Sequence, residues 1–193
     1  MANEIEAFTI ALANMDTAVA QRIIRFTSSF FTAAGASDES PGEPGRFHLT
    51  QGSEIATVAL MQEIQGLINP VPPEGTALIQ NVEDMQSQTR LKVTRARAVV
   101  EDTIDLLAED LLTGTYWLDV RKGQNSARTF GNSPTAVWTA FRSALPFDGS
   151  GAAAAMQPIH EIAAAFIRAH AAASFYKNDA REPDAQPRRH IAE

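Results

Sequence analysis

Cysteine is absent from the 193 residues, which excludes disulfides, thiol nucleophiles and thiolate metal sites and is compatible with any redox compartment. No run of about eighteen apolar residues occurs, so no segment reads as a membrane-spanning helix. The first turns carry Glu4, Glu6 and Asp16 where a secretory leader would carry bases. Base is scarce: 16 Lys and Arg against 23 Asp and Glu leave a formal charge of -7. That excludes coating of nucleic acid by bulk basicity and confines any polyanion contact to a local patch. A glycine-rich phosphate loop and a GxSxG elbow are also missing, so no catalytic constellation emerges. The chain reads as a soluble, intracellularly made protein of one domain, or one domain plus a tail.

What the sequence does have is helical periodicity. It is strongest from Thr89 to Leu112, where Val93, Val100, Ile104, Leu107 and Leu111 mark one apolar face. Arg90, Lys92, Arg95 and Arg97 fill the first part of this stretch and Glu101, Asp102, Asp105, Glu109 and Asp110 the second. A helix dipole favours the opposite order, by about 0.3–1 kcal/mol per exposed group. The bland reading is a solvated face with i,i+4 pairs such as Arg97 with Glu101. The functional reading is that four bases without local acids meet an external polyanion, while the acids meet a packed neighbour copy, bind a cation or line a cleft with raised pKa values. A start at Asn81, where Glu83 and Asp84 suit a first turn, would lengthen the helix and place the basic block in its middle.

In chain order, Ala7 to Ala33 reads as helix with a break near Asn14 to Thr17, and Gly35 to Gly45 as an exposed loop. A second helix is expected from about Gly52, with Ser53 as N-cap, until Pro70, Pro72 and Pro73 stop it. Thr113 and Gly114 read as the end of the long helix, and Tyr116 to Gly123 as strand or extended chain. Phe130 and Trp138 look like anchors for the polar run Asn125 to Thr139, and Ala140 to Pro146 like a turn of helix. Ala152 to Tyr176 is an alanine-rich helix interrupted near Pro158, and the tail after Lys177 reads as disordered. His160, Glu161 and His170 invite a metal, but Ala164 stands where a helical partner of His160 would lie, and no metal site is assigned.

These residues resemble the coat proteins of rod-shaped, tobamovirus-like plant RNA viruses. The resemblance is carried by Phe130 and Trp138 with Arg128 and Ala136, by Val82, Glu83 and Asp84 ahead of Arg90, by LLAEDLLTGTY from Leu106 to Tyr116, and by Arg46 and Phe47. It implies an all-α fold, a four-helix bundle over residues 1–148 with an appended helix and tail over 149–193. It further implies a structural coat rather than an enzyme, a helical homopolymer in a virion made in host cytoplasm, and a groove for single-stranded RNA. Arg90, Lys92, Arg95 and Arg97 would then contact phosphate, with Asp84 ordering them, and binding would weaken with salt. Glu101, Asp102, Asp105, Glu109 and Asp110 would press against the next subunit, so mild acid would favour assembly. Neither a resident cofactor nor a membrane partner is expected, with room for weakly bound calcium at those carboxylates. A flexuous filamentous coat with a C-terminal arm, a non-viral helical adaptor and, more distantly, an enzyme stay open as alternatives.

Overall fold

A computed structural model describes residues 2–27, 45–71, 88–146 and 158–176. The described residues form five α-helices and one short 3-10 turn, with no strand among them: α1 Ala2–Thr27, α2 Gly45–Leu67, α3 Thr89–Gln124, α4 Asn132–Ala144, α5 Ile159–Ala169 and the turn Ala172–Phe175. The all-α expectation therefore holds at that level.

Side-chain pairs fix the directions. Glu6 meets Lys92, Asp16 meets Thr103, Arg22 meets Asp110, and the Trp117 indole reaches the Phe26 carbonyl, so α1 and α3 run parallel. Ala13, Ile64 and Val99 form one apolar cluster, while Val19, Ala20, Ile23 and Leu106 form the next with Leu60 and Met61 beside them. Thus α2 descends between two ascending helices. The buried positions of α1 are Thr9, Ala13, Asp16, Val19, Ala20 and Ile23, spaced three or four apart, which is the seam of a packed helix. Beyond this unit, α4 and α5 run back along α3. Phe141, Leu145, Ala163, Ala164 and Phe166 close a third cluster on Ala108, with Phe141 and Phe166 edge to face at 5.3 Å.

Several boundaries differ from the sequence expectations. α1 has no break at Asn14 to Thr17: it is continuous from Ala2 to Thr27, and the hydroxyl of Thr17 donates to the Ala13 carbonyl at 3.0 Å within it. α2 begins at Gly45 rather than near Gly52. The long helix starts at Thr89, where Gln88 takes the left-handed conformation at φ 53, and runs 36 residues, through Gly114. A Cβ at Gly114 would meet nothing within 4 Å, so no special backbone is required there and the glycine caps nothing. Tertiary contacts carry the helix onward: Tyr116 is buried, Trp117 is bonded to α1, and Asp119 to α4. Tyr116 to Gly123 is thus helix, not extended chain. Asn125 then stops it, its side chain accepting the Ala127 amide at 3.0 Å.

The expected apolar face of α3 is also rotated. Lys92, Val99, Thr103, Leu106, Ala108, Thr113, Thr115 and Tyr116 are buried, whereas Val93, Val100, Ile104, Leu107 and Leu111 are half-buried. Packing on two sides, by α1 and α2 and by α5, replaces the single stripe that periodicity suggests. The C-terminal helix is short, Ile159–Ala169, beginning after Pro158. The loop expected at 35–44 and the tail after Lys177 lie outside the described residues.

Candidate functional site

Along the N-terminal halves of α1 and α3 lies an open groove of about 890 Å³ lined by Ile5, Phe8, Val93, Ala96 and Val100, with Glu4, Arg97 and Glu101 among its walls. Phe8 is 54% exposed on this bed, an unusual position for a ring that could have been buried. The Arg97 side chain is exposed and makes no hydrogen bond or ion pair among the described residues. Glu101 gives Oε2 to Arg168 on α5 at 2.6 Å and keeps Oε1 as an open acceptor. The groove therefore combines an aromatic and aliphatic bed, an available guanidinium and a carboxylate edge.

Several of the other charges of α3 are engaged inside the chain, whereas Arg90 is exposed at the start of the helix. Lys92 is 8% exposed and donates to Glu6 Oε2 at 2.9 Å, while Glu6 Oε1 accepts the Val71 amide. Both bonds, with Lys92 the larger cause, hold the Glu6 carboxyl below its ordinary range. Arg95 donates to the Asn69 carbonyl at 3.0 Å, just past the end of α2, where a helix dipole favours a cation. This explains the inverted charge order: the first turns of α3 lie beside Glu6 and the C-terminal end of α2. Among the acids, Asp110 takes a two-pronged bond from Arg22, and Glu109 lies 3.8 Å from His160, whose Nε2 is 3.2 Å from the Asp105 carbonyl. Asp84 lies outside the described residues. His170 stacks on Phe166 at 4.1 Å, so it and His160 serve different contacts.

Two buried carboxyls went unnoticed in the sequence. Asp119 is 8% exposed at its side chain and accepts from Trp138 Nε1 at 2.7 Å and from Arg142 at 2.8 and 2.6 Å. Burial pushes its pKa up, while the guanidinium and indole pull it back. Asp16 is fully buried and pushed up by that burial, with only Thr103 to oppose it. Opposite it, Asp102 is pushed up to about 6, first by burial and then by Glu63, Asp105, Asp16 and Glu101. Oδ1 of Asp16 and Oδ2 of Asp102 have no hydrogen-bond partner. The available signal was position: Asp16 continues the seam register of Thr9, Ala13, Ala20 and Ile23, where an acid is out of place.

The aromatic pair has a local role. Phe130 and Trp138 touch edge to face at 5.9 Å across the start of α4, and the backbone carbonyl of Arg128 accepts from Lys122 at 2.8 Å. These contacts tie the α3–α4 turn.

A bundle of parallel and antiparallel helices with a lateral groove is a scaffold shared by structural and enzymatic proteins. The chain is placed by a family model for aromatic amino acid lyase, which matches residues 1–143 of the 193. The protein belongs to the aromatic amino acid lyase family. No curated protein and no solved structure matches it significantly.

That membership overturns the coat-protein resemblance, and with it the structural, non-enzymatic role, the RNA partner, the helical homopolymer and the virion location. The physical reasons are visible. Lys92 and Arg95 are engaged within the chain and are not free for phosphate. LLAEDLLTGTY is helix interior rather than a helix end. The Phe130–Trp138 spacing reports a turn closed by aromatic packing, which any bundle can use. No helix of the described residues is long and apolar enough to cross a membrane.

Proposed function

We propose that the protein eliminates ammonia from an aromatic amino acid, breaking the Cα–N bond and one Cβ–H bond and leaving an α,β-unsaturated acid. The observation that carries this reading is the family match over residues 1–143. The α1–α3 groove supports it, because its chemistry suits such a molecule: Phe8, Ile5, Val93 and Val100 offer a bed for the ring, Arg97 a partner for the carboxylate, and Oε1 of Glu101 an acceptor for the ammonium. On the same reading residues 1–148 are the family domain, and 149–193 append α5 to it.

Incubation of the full chain with phenylalanine, tyrosine, histidine and tryptophan, following near-ultraviolet absorbance and released ammonia, tests the activity. Equimolar ammonia and unsaturated acid from at least one of them is the expected outcome, and silence with all four overturns it. Arg97→Ala tests the groove separately. Loss of a charge-assisted bond worth about 1.5–3 kcal/mol raises KM roughly tenfold or more with little change in kcat. An unchanged KM removes the groove from the reading and leaves the activity standing.

A further inference from the structure

The hydroxyl of Thr103 lies 2.8 Å from Asp16 Oδ2 and 2.7 Å from the Val99 carbonyl. Both neighbours are acceptors when Asp16 is ionised, and a hydroxyl has one hydrogen to give. An ionised Asp16 leaves the Thr103 hydrogen to be shared between two acceptors, whereas a protonated Asp16 can donate to Thr103, which then gives its own hydrogen undivided to Val99. The surroundings agree. Asp16 is fully buried between the Ala13–Ile64–Val99 cluster and the Val19–Ala20–Ile23–Leu106 cluster, where an isolated carboxylate is costly. Among the described residues, the charged groups that act on the neighbouring Asp102 are acids: Asp105 and Glu101 on α3, Glu63 on α2 and Asp16 on α1. The nearby bases of α5 are engaged elsewhere, Arg168 on Glu101 and His160 between the Asp105 carbonyl and Glu109.

We infer that Asp16, Thr103 and Asp102 form a proton-sensitive seam, in which α1 and α3 pack best with a proton held by Asp16 and loosen when both carboxyls ionise. This goes beyond the proposed reaction and does not depend on it. The sign follows from the direction of the shifts. A carboxyl whose folded pKa is raised adds stability below its unfolded value and loses it as pH rises through the folded one. For Asp102 that window runs from 3.8 to about 6.

The test is the denaturant-unfolding equilibrium of the full chain from pH 4 to pH 8 at constant ionic strength, for the wild type, Asp16→Asn and Asp102→Asn. An asparagine amide at position 16 can donate to Thr103 as the protonated acid does. The inference expects Asp16→Asn to be at least as stable as the wild type at pH 7 and less stable relative to it at pH 4. It expects the unfolding constant of the wild type relative to Asp102→Asn to rise on the order of a hundredfold over that range, the equivalent of a shift from 3.8 to about 6. Stability differences that do not vary with pH in either variant would overturn it. Should one variant not fold, the other decides by the same criterion.

Discussion

Asp102 and Asp119 sit on the same helix, less than five turns apart, and burial pushes both up, yet their neighbours treat them differently. Around Asp119, α4 brings a guanidinium and an indole N–H, whose short bonds favour the charged carboxylate against the upward push of burial. Around Asp102, α1 and α2 bring Asp16 and Glu63, and no donor reaches its buried oxygen. The difference teaches that burial alone does not decide the state of an acid. What decides it is whether the packing neighbour supplies donors or further acids. The first arrangement binds charge and the second binds a proton.

The comparison is broken most strongly at Arg142. Arg142→Ala leaves Asp119 buried without its cation, turning it into a second Asp102, and costs about 3–5 kcal/mol by denaturant unfolding at neutral pH. Part of that loss returns on acidification, since the protonated acid no longer needs the guanidinium. Thr103→Val sharpens the other side by taking the hydroxyl from Asp16, with an expected loss of about 1–3 kcal/mol for an unsatisfied buried group. Retention of full stability in that variant would show that Asp16 does not use Thr103. The smallest change is a gain: Gly114→Ala adds about 0.5–1 kcal/mol, because the residue lies in helix interior with open space at its Cβ, and thermal unfolding reads it as a small rise in Tm.

Gly114 also shows where sequence reading stops. A Thr-Gly pair after an apolar run signals a helix end, and local chemistry gives no reason to continue. The continuation depends on Trp117 meeting Phe26 and Asp119 meeting Arg142, partners 91 and 23 residues away. The helical class was readable because apolar spacing is local, but the core faces were readable only in part: Val19, Ile23 and Ile64 are buried, whereas Phe8, Met15, Ile55 and Val58 are exposed and the expected face of α3 is half-buried. The fate of the basic block was not readable, since Glu6 reaches Lys92 across 86 residues and no periodicity encodes that. Four bases without acids nearby in sequence therefore looked uncompensated, and a polyanion was supplied to explain them. Likewise Arg97 and Val100 were noticed in the sequence for other roles, and they join Phe8 in a groove only when α1 lies beside α3.

The central claim is that the buried carboxyls of α3 are answered within the chain, by partners where packing provides them and by a proton where it does not. Carboxyl-carbon NMR of Asp102 and Asp119 in one titration series, with and without Arg142, tests it most directly. The account predicts a midpoint of about 6 for Asp102 in both proteins, and for Asp119 a midpoint that rises when Arg142 is removed. An Asp102 midpoint near the ordinary 3.8, or an Asp119 indifferent to Arg142, would contradict it.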